Sequence, residues 1–258
     1  MTERRRGESV VLGHSVAVPL LGAVCLTAAL RPVFADPVLA SPAVHPSAVV
    51  GLAWAGQLWY VRHSLDTFGV AASRWGEVFG LANTLTLVRG GLYAVVAGFV
   101  IVPDGTALGW VPALCYGTGA VFDRLDGVVA RTVGEPTTLG TRLDMAFDTF
   151  GFVVAPLVAV LWGLLPVWYL SLSAARYVYL AGVYWRRLRG RPVFDRPDSD
   201  LGKYLAGVQM VFLTVALAPS MAPDLVWTLA PVVLAPSLAV FARDFLVVSG
   251  RLHSNGTQ

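Results

Sequence analysis

Asp123, Asp126, Asp144 and Asp148 form two pairs, spaced three and four residues apart, in a chain that is 56% hydrophobic and 14% charged. At those spacings side chains share a helix face, so each pair presents two carboxylates in one direction. Acidic groups near a bilayer cost roughly 2.5–3.5 kcal/mol each at a helix centre, and several cannot stay ionised together without cations. Hard divalent ions with oxygen ligands, Mg²⁺ or Mn²⁺, meet that demand. Mg²⁺ held by a few carboxylates completes its shell with water and substrate phosphates, which makes a diphosphate the natural guest. Gly127 and Ala130 lack bulk and let a ligand approach the backbone. Arg131 offers a guanidinium to phosphate, and Gly140 permits close helix approach or a tight turn. One Asp pair alone is ordinarily a cap or a solvated face; eight positions obeying one spacing rule point to a site.

Gly134 and Pro136 interrupt the helix between the pairs. The chain therefore turns through 132–139, and two antiparallel helices bring the carboxylate faces together. The surrounding elements are apolar: a mean hydropathy of +0.66 with 11% aromatics is that of a polytopic membrane protein. Spanning helices need about 20 mostly apolar residues. Eight stretches qualify, near 10–30, 45–61, 81–102, 108–130, 141–163, 166–186, 201–219 and 225–249. Pro156, Pro231 and Pro236 fall inside them, where neighbouring helices can satisfy freed backbone groups.

The net charge of +3 is uneven. With the N-terminus in the cytoplasm, Arg4 to Arg6, Arg62, Arg74, Arg124, Arg131, Arg142, the arginines of 186–196, Lys203 and Arg251 all fall inside, against Arg31 outside. This positive-inside asymmetry puts both termini and the carboxylates on the cytoplasmic side of the cell membrane. The basic excess reports topology and anionic lipid headgroups, and nothing in it calls for nucleic acid. Residues 1–80 read as an appended pair of transmembrane helices with a polar connector over 62–80, in which Trp75 and Phe79 mark an interfacial helix. Residues 81–258 read as a six-helix catalytic membrane domain. The first apolar run is long for a signal peptide and is read as an uncleaved helix. Cys25 and Cys115 read as small core residues, and His14, His45, His63 and His253 form no metal spacing.

The pattern D-x2-D-G-x2-A-R-x8-G-x3-D-x3-D, complete at Asp123, Asp126, Gly127, Ala130, Arg131, Gly140, Asp144 and Asp148, resembles the signature of the CDP-alcohol phosphotransferases. These are integral membrane enzymes of phospholipid synthesis, and the resemblance extends over about 81–250. It implies an all-α membrane fold, with a six-helix core to which this chain adds two N-terminal helices. It also implies two metal ions held by Asp123, Asp126 and Asp144, with Asp148 as general base and a further metal contact. Gly127, Ala130, Arg131 and Gly140 would line the CDP site. The stretch Asn83-Thr-Leu-Thr86-Leu-Val-Arg89 is similar to the family's N-x-L-T-x-x-R helix start, so Asn83 and Thr86 would face the nucleotide. The donor would be a CDP-lipid, the second substrate an alcohol, the product CMP, and the assembly a homodimer.

Arg176, Arg187 and Lys203 form the candidate acceptor site, which would favour an anionic alcohol such as glycerol 3-phosphate or inositol phosphate over serine. Gly202 to Met210 is similar to the G-K-x-K-T-x-x-Q-M stretch of phosphatidylglycerophosphate synthases, with Leu205 and Ala206 replacing its second Lys and its Thr. Two other classes compete. A membrane prenyltransferase also holds a diphosphate on Asp-rich helices, but in two separated segments. An ion-carrying protein would place its acids near the bilayer midplane, not at one edge.

Overall fold

The apolar runs fold as eight α-helices, with no strand, among the residues that this computed structural model describes: 20–34, 44–69, 81–133, 138–194 and 200–252. They are α1 (Leu20–Leu30), α2 (Pro46–Thr67), α3 (Leu81–Gly98), α4 (Trp110–Val133), α5 (Thr138–Leu161), α6 (Ser171–Leu188), α7 (Asp200–Ala216) and α8 (Pro223–Val248). Short 3₁₀ turns follow α3 and precede α6. Local chemistry sets several ends. His45 caps α2, its Nδ1 accepting from the Ser47 amide at 3.3 Å, and Pro46 takes the first helical position, where no amide is needed. Just after α5, Gly163 adopts φ +70°, a left-handed conformation that suits glycine. Pro156 sits inside α5, and Pro231 and Pro236 inside α8, without ending either helix.

Among the described residues, three helices are long and apolar enough to cross a membrane: Asn83–Ile101, Thr138–Leu161 and Pro223–Val248. α3 is the central element, packing along both α4 and α5, while those two touch each other little. α7 lies against α4, and α8 closes over α6 and α7. The main core runs through Tyr93, Phe99, Tyr116, Val158 and Leu213, and Phe34 and Val50 of the N-terminal segment join it. Between α7 and α8, buried Gln209 donates to the Val233 carbonyl and to Ser237 Oγ, both at 2.9 Å, and its Oε1 accepts from the Tyr169 hydroxyl.

Several expectations change. The helix expected over 45–61 continues to Thr67, so 62–67 are helical and not part of the connector; an Arg62–Asp66 ion pair at 3.0 Å, one turn apart, supports the extension. α4 runs on to Val133 and α5 starts at Thr138, which shortens the expected turn of 132–139. Cys25 is exposed on α1, not in the core, whereas Cys115 is half-buried. The first half of the span expected over 10–30, and the interfacial helix expected at Trp75 and Phe79, lie outside the described residues.

Candidate active site

The α3 sequence buries Asn83, Thr86, Arg89, Tyr93 and Ala97 along one side. Arg89 is 0% exposed. A guanidinium inside an apolar bundle is tolerated only when it is paired. Here Nη1 donates to Asp123 Oδ1 at 2.5 Å. Nη2 donates to Asp144 Oδ1 and lies 3.3 Å from Asp148 Oδ1. One carboxylate oxygen from each of Asp123, Asp144 and Asp148 lies within 4.8 Å of the others. The two carboxylate helices thus converge as their spacing predicts, but around a third helix that supplies the cation.

Glycine notches set the depth at which α3 sits. Gly119 precedes Asp123 by four residues and Gly151 follows Asp148 by three, so each lies on the carboxylate face of its helix. The Tyr93 ring fills both notches, and a Cβ at either glycine would collide with it. Tyr93 also packs on Tyr116 with ring centroids 5.2 Å apart. Tyr93 is one turn along α3 from Arg89, so seating its ring seats the guanidinium among the carboxylates.

Three carboxylates share one guanidinium, so the acidic groups outnumber their built-in cation, and each carboxylate has a second oxygen to offer. An all-oxygen donor set suits Mg²⁺ or Mn²⁺ better than softer metals, so the residues present fit such an ion.

The other expected residues fall as follows. Asp126, Gly127, Ala130 and Arg131 lie on the last turns of α4, and their side chains are outside the described residues. Gly140 sits in the first turn of α5, so it is helical and not in a tight turn. Asn83 and Thr86 are buried on the Arg89 side of α3. Arg176 is half-buried on α6, and Arg187 is exposed in its last turn. The two share a face but lie about 16 Å apart along the axis, eleven residues at ~1.5 Å each, so they do not converge on one point. Lys203 is 67% exposed and pairs with Asp200 at 3.6 Å. Arg124, next to Asp123, rests on Gly207, one turn beyond Lys203, which brings the first half of α7 alongside the carboxylate end of α4. Arg89 is the site residue that the sequence pattern left without a role. The signal was there: a lone arginine in an apolar span needs a buried acid as partner.

The model of the family described as CDP-alcohol phosphatidyltransferase matches residues 79–247. The chain belongs to this family. Three curated relatives, one from Mycobacterium bovis and two from strains of Mycobacterium tuberculosis, bear the description "Putative cardiolipin synthase". Each is 32% identical over 143 residues, which is 55% of this chain and 66% of the relative, just under two thirds of its length. No solved structure matches the chain at a significant level. The matched region begins just before α3 and ends within α8, so it takes in every element of the carboxylate site. This CDP-alcohol phosphatidyltransferase family member is a membrane protein, and α1 and α2 lie outside the matched region.

Proposed function

We propose that this protein transfers a phosphatidyl-type group from a CDP-lipid to an alcohol and releases CMP. One observation carries the reading: Asp123, Asp144 and Asp148, from two helices, offer oxygens within 4.8 Å of one another. Such a cluster is suited to holding a divalent ion against a diphosphate, and family membership supplies the chemical class. We further read the protein as a multi-pass protein of the cell membrane, with the site on the cytoplasmic side and the N-terminal helix pair appended to a six-helix catalytic region.

In this reading Asp123, Asp126 and Asp144 hold the metal, with Asp148 touching a second ion. Bound there, Mg²⁺ or Mn²⁺ offsets charge on the diphosphate and on departing CMP, as in two-metal sites. Gly127, Ala130, Arg131, Gly140, Asn83 and Thr86 surround the nucleotide. Asp148 takes the proton of the acceptor hydroxyl. The alcohol oxygen bonds to the β-phosphorus as the bond from that phosphorus to the CMP oxygen breaks. Arg89 holds the three carboxylates together.

The acceptor is read as phosphate-bearing, met by Lys203 and by Arg176 or Arg187. The description of the mycobacterial relatives points the same way. Cardiolipin carries two phosphatidyl groups on one glycerol, so phosphatidyl transfer would make it from an acceptor that already holds one. The test is CMP release by purified protein in detergent, given CDP-diacylglycerol, Mg²⁺ or Mn²⁺, and a panel of glycerol 3-phosphate, inositol phosphate, phosphatidylglycerol and serine. Release is expected with a phosphate-bearing acceptor and is abolished by EDTA. Release with serine alone would overturn the acceptor assignment, and metal-independent or absent release the reaction itself.

A further inference from the structure

The helix that carries Asp144 and Asp148 has a second working face. On α5, Arg142, Ala146, Phe150 and Val153 follow one another at helical spacing on the side opposite Asp144, Asp148 and Gly151. That opposite side borders a cavity of about 390 Å³, walled by Leu52 and Gly56 of α2, Ala146, Phe150 and Val153 of α5, and Tyr177 of α6. The walls are largely apolar. Gln57 also lines the cavity, but it is 6% exposed and its amide oxygen is buried against Gly90 of α3. At the end nearest Arg142, the Tyr60 hydroxyl accepts from Arg142 Nε at 3.3 Å, and the guanidinium stands exposed, 5.8 Å from the Phe68 ring.

From these features we infer that α2, α5 and α6 form a binding groove for a diacyl phospholipid of the leaflet on the carboxylate side. The lipid phosphate meets Arg142, and one acyl chain lies along Ala146 to Val153. Dimensions favour this occupant. Arg142 to Val153 spans about 16 Å of helix, close to the ~15 Å of hydrocarbon in one leaflet. Charge favours it too, because an exposed guanidinium at the end of an apolar groove in a bilayer faces phosphates. This lipid is not the donor: it lies across α5 from the carboxylates, about a helix diameter of 10–12 Å away. One wall comes from α2, outside the region that matches the family.

Native mass spectrometry of the full chain in detergent tests the inference with two probes, phosphatidylglycerol and diacylglycerol of the same chains. Wild type is expected to retain one phosphatidylglycerol per chain and to hold diacylglycerol at least tenfold more weakly. Gly56→Phe puts a ring into the groove from a position where a Cβ meets nothing within 4 Å, and should abolish retention. Arg142→Gln, on the protein surface, should erase the preference for the phosphate-bearing probe. Asp148→Asn should keep the lipid, which separates this site from the reaction site and from the fate of that assignment. Equal retention in wild type and Gly56→Phe would overturn the inference. So would loss of the lipid in Asp148→Asn, which would make it a substrate at the carboxylates. A dimer that dissociates in Gly56→Phe with no lipid bound would assign the groove to a second copy of the chain.

Discussion

Replacing Arg89 with Met would leave three carboxylates facing one another with no cation between them. Breaking a buried ion pair from one side costs about 3–5 kcal/mol, so Arg89→Met should melt well below wild type. Mg²⁺ should recover more of that loss in the variant than it adds to wild type, because it takes over a charge that the side chain supplied; equal Mg²⁺ shifts in a thermal unfolding series would refute this. Asp148→Asn is nearly isosteric and should behave differently. CMP release should fall by about 10²–10⁴, the usual contribution of a positioned base, while the Mg²⁺-dependent rise in melting temperature persists. Unaltered release would remove Asp148 from the base role. The carboxylates could be read from sequence because acids spaced three and four apart stand out in an apolar chain, where each is costly unless a cation offsets it. Arg89 was visible only as the last letter of a motif, since its partners lie 34 and 55 positions away and no local pattern encodes them. The acceptor cations show the opposite case. Arg176 and Arg187 looked like neighbours in sequence, but the rise of the helix separates them.

Among the elements, α3 is keyed to α4 and α5 by one aromatic ring in two notches. A methyl group added at Gly151 pushes on that ring, and overpacking of this kind costs about 1–3 kcal/mol. Gly151→Ala should therefore lower stability and also reduce CMP release, because moving Tyr93 moves Arg89. A double-mutant cycle with Tyr93→Leu checks the cause: the pair should couple by about 0.5–3 kcal/mol, whereas strict additivity would place the damage elsewhere. Helix positions were legible because each apolar run is long and most are bounded by polar or Gly/Pro residues. Helix ends were less so. The last two turns of α2 contain Arg62, Ser64 and Asp66, which read as a loop by polarity, yet an ion pair one turn apart supports the helix there. That α3 would part the two carboxylate helices was not legible, because a hydropathy pattern does not say which helices become neighbours.

At the scale of the whole molecule, the N-terminal segment packs into the core. Val50 fits against Gly98, Gln57 against Gly90, and Phe34 against Phe99 with ring centroids 5.5 Å apart. Removing residues 1–69 should uncover that side of α3 and lower the melting temperature, while the carboxylate cluster, built wholly from α3 to α5, persists. CMP release per folded molecule should stay within about tenfold of wild type, that is within about 1.4 kcal/mol; complete loss in a folded, Mg²⁺-responsive truncation would show that α2 contributes to the reaction.

A cation built into the polypeptide also bears on how such a protein is made. Because Arg89 already sits among the carboxylates, the bundle can assemble during insertion before any ion arrives. On the proposed reaction, a cell starved of the divalent ion would then accumulate intact, dormant copies, and restoring the ion would switch them on without new synthesis.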